Sequence, residues 1–545
     1  MIKKQRIFAI VASVLVAALI PLYFFVIAPL TKKQPSTDNT ANREIMYTQT
    51  ERANIKSIEV VNSHGSYKFV YNEDYKDYYI DGHPLALYDE SLFSQLVVSC
   101  GYTLAMASVE NENAEKLADY GLDDSQNPAY YVLTTKEDVS YKVLVGNKIV
   151  TGGGYYARMD GQNKVYVLDT SLEATVLSPI ENYVTPLVIF PTSSTTYADV
   201  KTFEIYRGPY MPEDFNLKTD KEEAQAQAEQ DNAENEDGTE KPALSEPIVK
   251  FHYVQTQDLG VMSNAIFYMD YPGDGAYNAS DFVTKVLQQF VYFQGYKTEV
   301  LEPTSEDLEK YSLFGDAEYT LYLINYSYLK GADGKTVKIP VQNRVTFSKL
   351  HTDEKTGMQF RYAHSLFFDE SAMIYNNLIV KVPEYDCEFL SYDLNTWVDS
   401  KLFGTNISSV SDIRVESGKT DISFSLEGEG QSLTVTEPNG HKPQIENFKR
   451  FYQTLLIMQK GGFVSLSKEE IATLVADEGN ITAKLTVKLK EGKEFVYRFY
   501  SLGQQTYYTV NGEGQFYLET KYVTKTVNDA IRVTRDEIVN VDNSY

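Results

Sequence analysis

One order of elements occurs three times along the chain: three strand-like runs, a helix, then a meander of short strands. In the first occurrence the runs are 55–61, 67–71 and 78–81, rich in β-branched and aromatic residues and separated by Asn, Gly and Asp turns. A helix follows, with Asp89 as its expected N-cap and Leu92, Leu96, Val97, Cys100 and Leu104 at helical spacing. The meander occupies 130–133, 141–145, 155–158 and 165–168. In its second strand Tyr141, Val143 and Val145 alternate with Lys142 and Leu144, which predicts a sheet with one buried face.

The order returns at 200–206, 248–253 and 266–269, with a helix over 281–294 and strands at 319–324, 337–347 and 358–362. It returns again at 410–415, 422–426 and 433–436, with a helix over 445–458 and strands at 481–489, 495–500, 507–510 and 516–518. The stretch EDLEKYSLF at 306–314 echoes AEKLADYGL at 114–122, and the last element, 523–533, resembles a short helix after Asp169. A chain of 545 residues divides naturally into about three units of ordinary domain size. The fold class expected is α+β: an N-terminal transmembrane helix followed by tandem modules, each a mainly antiparallel sheet with a packed helix.

The boundaries that follow are a tail and anchor over 1–33, a linker over 34–52, and modules over 53–190, 198–402 and 403–545. Within the second module, 213–246 is crowded with Glu, Asp, Gln and Ala and is expected to be a disordered acidic insertion, because it cannot bury enough apolar surface to offset its ordering entropy.

The motifs LADYGLDD (117–124), VLVGNK (143–148), TGGGYYARMDG (151–161) and VYVLD (165–169) together resemble the bacterial domain-of-unknown-function 4340 family, most closely over 55–184. That resemblance implies a membrane-anchored extracytoplasmic protein without assigned activity. Some members resemble auxiliary parts of gliding-motility-type ABC export systems, which implies a transporter permease-like partner.

Residues 7–30 contain no charged side chain and follow Lys3, Lys4 and Arg6. As a helix the run would extend about 36 Å, enough to cross a hydrocarbon core of about 30 Å. It exceeds the apolar region of a cleaved signal peptide and holds bulky Leu22, Tyr23, Phe24 and Phe25, so a single-pass anchor is expected. The excess of Lys3, Lys4 and Arg6 over Lys32 and Lys33 places the N-terminus in the cytoplasm and the main domain outside.

A formal charge of −26 argues against nucleic acid as a partner, since phosphate binding needs a concentrated basic face. Two cysteines, Cys100 and Cys387, cannot form a disulfide framework or a zinc site at their spacing, and six histidines are scattered without HxH or HExxH spacing. No catalytic, cofactor or metal site is assigned. The glycines at 152–154 lie between two strands and read as a turn rather than a phosphate cradle. Ser465 and Lys468 spell SxxK, but Ser467 and Glu470 read better as a helix capping box. The 43 tyrosines fall mostly in strands, where cross-strand packing explains them, and a wall glycan stacked on exposed rings is the alternative. The functional expectation is an anchored binding or scaffolding protein, with a wall-glycan binder or hydrolase as its rival.

Overall fold

Ile55, Ile58 and Val60 are buried, and so are Val200, Phe203 and Ile205, and Val410, Ile413 and Val415. In the computed structural model each set belongs to an inner strand of its own antiparallel sheet. The structure describes residues 44–109, 114–150, 152–191, 199–212, 215, 246–254, 267–330, 334–369 and 371–541. The expected anchor at 7–30 lies outside them, as does the expected insertion apart from Phe215 and Glu246. Phe215 packs edge-on to Tyr322 and Glu246 pairs with Arg207, so the first rests against the second sheet and the second is part of it.

The first sheet is made from β1 (Ile55–Asn62), β2 (Gly65–Asn72), β3 (Asp77–Ile80), β4 (Ala107–Val109), β5 (Ala129–Thr135), β6 (Ser140–Lys148), β7 (Tyr155–Met159) and β8 (Val165–Leu168). Helix α1 (Glu90–Gly101) lies between β3 and β4 in sequence. The second uses β9 (Val200–Arg207), β10 (Glu246–Tyr253), β11 (Phe267–Tyr271), α2 (Asp281–Gln289), β12 (Lys297–Leu301), β13 (Tyr319–Lys330), β14 (Thr336–Phe347), β15 (Gln359–Asp369) and β16 (Ile374–Pro383). The third uses β17 (Val410–Ser417), β18 (Thr420–Glu427), β19 (Thr434–Thr436), α3 (Ile445–Leu456), β20 (Lys460–Phe463), β21 (Ile481–Leu489), β22 (Glu494–Leu502), β23 (Gln505–Val510) and β24 (Phe516–Glu519). Helix α4 (Thr520–Thr534) follows.

Strand order is β3-β2-β1-β5-β6-β7-β8-β4, then β11-β10-β9-β13-β14-β15-β16-β12, then β19-β18-β17-β21-β22-β23-β24-β20. One connectivity therefore serves all three sheets, and the second only adds His351–Thr352 beside β15. The α+β class holds.

The sheets also share an irregularity. Pairing slips by one residue between Ile55 and Ser57, between Val200 and Thr202, and between Val410 and Asp412. Ile55 and Ile58 are three apart and would face opposite sides of a regular strand. The extra residue restores the parity, so both point into the core. Lys56, Lys201 and Ser411 are the residues bulged out.

Chain compaction divides the protein into two units, residues up to 81 with 90–179, and 82–89 with 180 onward. The first holds the first sheet. There Phe93 of α1 meets Phe69 at 4.6 Å and Tyr78 at 4.9 Å, while Leu96, Val97 and Cys100 are fully or nearly buried. The helix stripe thus uses Phe93 where Leu92 was expected, and Leu104 has left the helix for the short strand Leu104–Ala105. Nor is one face of the sheet simply open. Leu144 packs with Leu117, Leu122 and Val165, because the LADYGL turn folds over the second face.

The second unit holds the other two sheets. Its connectors repeat as well: the Asp89 N–H donates to the Tyr183 carbonyl and Ser280 N–H to Trp397, while Thr185 donates to Leu87 and Asp399 to Asn278. Farther along, Val188 donates to Phe293 and Leu402 to Met458. Residues 180–190, placed by the sequence at the end of the first module, belong to this unit. Asn343 Oδ1 accepts from the Phe190 N–H at 2.7 Å, and Asn325 Nδ2 donates to the Phe190 carbonyl at 2.9 Å.

Trp397, the sole tryptophan, is fully buried against Phe203 at 5.7 Å and Phe251 at 6.0 Å. Phe203→Ala leaves a cavity in this aromatic cluster and should destabilise the second unit by about 3–5 kcal/mol. Urea unfolding followed by tryptophan fluorescence checks this, since the single indole reports on that unit.

Candidate functional site

The Gly-rich turn is the first place to look for chemistry. Gly152 adopts φ of +79°, and its N–H donates to the Ile149 carbonyl at 2.8 Å, while Gly154 accepts from the Ile149 N–H at 2.9 Å. A Cβ on Gly154 would lie 2.2 Å from the Leu168 carbonyl oxygen. These glycines let β6 turn into β7 and let β7 approach β8 closely, and the Ile149 and Gly152 N–H groups are spent on the turn itself.

The side chains after the turn are engaged internally. The Tyr155 hydroxyl donates to Glu173 at 2.8 Å, and Tyr156 meets Tyr120 edge-on at 4.7 Å. Arg158 is only 5% exposed, donating from Nε to the Leu122 carbonyl at 3.0 Å and from Nη2 to Asp124 at 2.6 Å. It clamps the LADYGLDD turn onto the sheet. Gly121 takes φ of +69° in that turn and Ser312 takes +56° in its echo, where Tyr311 meets Tyr362 as Tyr120 meets Tyr156. Asp160 is exposed at the β7–β8 turn. Other tyrosines are likewise consumed: Tyr47 places its hydroxyl 2.9 Å from both Thr103 and Tyr131, and Tyr206 stacks on Tyr210.

Ser465 and Lys468 are both exposed, and the neighbouring serine performs the capping. Ser467 Oγ accepts from the Glu470 N–H at 3.2 Å and Glu470 accepts from the Ser467 N–H at 2.7 Å, at the start of the helix Lys468–Ala476. Ser467→Ala should cost about 1 kcal/mol through the lost cap, whereas Ser465→Ala should stay within about 0.5 kcal/mol. Thermal unfolding of both variants makes the comparison.

Cys100 and Cys387 are free and buried, and burial raises both thiol pKa values. Among the described residues, no group of three His, Cys, Asp or Glu could hold a metal ion. His252 faces Asp270 at 2.8 Å and His83 faces Glu302 at 2.8 Å. His364 lies inside the second sheet with Nε2 2.8 Å from Asn377 Oδ1, and burial lowers its pKa to about 4, outweighing that hydrogen bond. The unfolded chain therefore binds a proton that the folded chain refuses. The stability His364 contributes is complete above about pH 6.5 and is lost progressively towards pH 4, with Arg344 nearby also opposing the charge. His364→Gln should flatten this part of the stability–pH curve, measured by urea unfolding between those limits.

The site that sequence reasoning missed lies in the third sheet. A surface pocket of about 400 Å³ is lined by Arg414 of β17, Asp421, Ile422 and Ser423 of β18, and the turn residues Glu437, Pro438 and Asn439. Arg414 Nε and Nη2 each donate to Asp421 at 2.8 Å, and this fork holds the Asp421 carboxyl below the usual carboxylate range. The Arg414–Asp421 pair is close in sequence across a hairpin. Glu437, by contrast, reaches the pocket only through the turn before α3. The lining sets hydrogen-bonding groups around a short apolar wall.

The family model described as "Domain of unknown function (DUF4340)" matches residues 97–256. The resemblance carried by LADYGLDD and the motifs after it is thereby upheld, over a range that begins within α1 and runs on past β10. No curated protein and no solved structure matches the chain.

Proposed function

We propose that this chain, whose residues 97–256 carry the DUF4340 match, is a membrane-anchored extracytoplasmic binding or scaffolding protein, accessory to an ABC-type export complex. The observation that carries this reading is the threefold use of one sheet connectivity, down to the same bulge in each first strand. Repeated modules suit a protein whose task is to present surface to a partner. The anchor rests on the uncharged run 7–30, which lies outside the described residues; no helix among the described residues is long and apolar enough to cross a membrane. A wall glycan has weaker support as partner, because Tyr155, Tyr156 and Arg158 are committed to Glu173, Tyr120 and the LADYGLDD turn.

Protease added to intact cells should remove epitopes in the three sheets while a tag ahead of Lys3 stays protected, and crosslinking in membranes should recover a permease-like membrane protein. Release of a soluble chain into the medium would overturn the anchor. Turnover of a wall glycan by the purified chain, abolished by changing a single carboxylate, would overturn the scaffolding role. Alanine at Asp160, Ser465 or Lys468 should leave any phenotype intact. Arg158→Ala should act only through stability, because its guanidinium is buried in the fold.

A further inference from the structure

The residue before α1, α2 and α3 has its amide satisfied from a distant segment. For Asp89 and Ser280 the acceptor is a main-chain carbonyl of a connector, Tyr183 or Trp397. The third sheet departs from this. The Gln444 N–H, leading into α3, donates 2.8 Å to the Asp536 carboxylate, which comes from the segment after α4. The same carboxylate is met by an imidazole: His441 places Nε2 3.2 Å from Asp536 Oδ2 and Nδ1 2.6 Å from Glu437 Oε1.

Two carboxylates facing both ring nitrogens fix the charge state that fits. A neutral imidazole has one N–H and one lone pair, so one carboxylate would meet a lone pair; only the imidazolium donates to both. We propose that His441 is an acid-stabilised latch, which joins the turn before α3 to the segment after α4 where the other two sheets use main-chain connectors.

The groups facing the ring are Glu437 on its own turn and Asp536 from beyond α4. The hydrogen bond to Glu437, reinforced by that to Asp536, holds the His441 pKa above the ordinary histidine value despite some desolvation. The sign follows. The latch contributes fully below the unfolded histidine pKa, and its contribution disappears as pH rises through the raised folded value. With the proton gone, Nε2 or Nδ1 turns a lone pair to a carboxylate. One of the two ties is then lost: either Asp536 is left with Gln444 alone, or Glu437, a wall of the pocket, loses the N–H that positions it.

The full-length chain tests this by hydrogen exchange, corrected for intrinsic rates, between about pH 5.5 and about pH 8.5. Amides of 441–447 and 535–541 should lose protection in one step as pH rises. That step should vanish in His441→Gln and in Asp536→Asn, while far-UV circular dichroism shows both folded. NMR of histidine-labelled wild-type chain adds a measurement independent of folding in any variant: the His441 titration midpoint should lie above that of the same chain unfolded in urea. Unchanged protection across the range, a step that survives His441→Gln, or a midpoint at or below the unfolded value would each overturn the latch.

Discussion

Parity along the first strand is the constraint on which the rest depends. The apolar positions of β1, β9 and β17 are spaced three and then two residues apart, a pattern that a flat strand would split between its faces. A single bulge after the first apolar residue resolves the conflict in each sheet. It matters because these strands are inner ones, hydrogen-bonded on both sides by the second and fifth strands of the sheet. An error of one residue would turn Ile58 and Val60, or Phe203 and Ile205, away from the helix and leave the core unfilled. The bulge thus sets the register of the pairing that the β5, β13 and β21 meanders extend.

Once that register is set, buried polar groups hold what the aromatic clusters cannot orient. Arg361 is 4% exposed, donates to the Ser348 carbonyl at 2.8 Å and to Glu384 at 2.9 Å, and also pairs with Glu318. In the second sheet, Asn325, Asn343 and Ser365 satisfy the main chain of 188–190, which would otherwise be buried without partners. Such groups favour one docking of the segment over its neighbours, since any shift leaves an amide or carbonyl unpaired.

Legibility in the sequence varied with the range of the interaction. The strand-like runs at 55–61 and its counterparts, the Ser467–Glu470 cap and the turn at 152–154 are local, and each was readable from neighbouring residues. Leu144 was misread because its cover, Leu117 and Leu122, arrives from a turn that precedes Leu144 itself by more than twenty residues. The final helix, read over 523–533 as the counterpart of a short helix after Asp169, is α4 of 15 residues, while that counterpart is the brief 3-10 turn Thr170–Glu173. The acidic run 213–246 looked uniform, but Phe215 and Glu246 at its ends are held by ring packing and strand pairing across the sheet.

By itself, then, the amino-acid order determined the repeated α+β plan, the family resemblance and the local turns, because periodicity and capping act over a few residues. Only the tertiary structure decided that Arg158 is a clamp rather than an exposed ligand-binding group, and that Glu437, His441 and Asp536 meet although the outer two lie 99 positions apart. The physical reason is that charge pairing and close packing depend on distance in space. No pattern along the chain encodes that distance until strand order and register have placed the partners side by side.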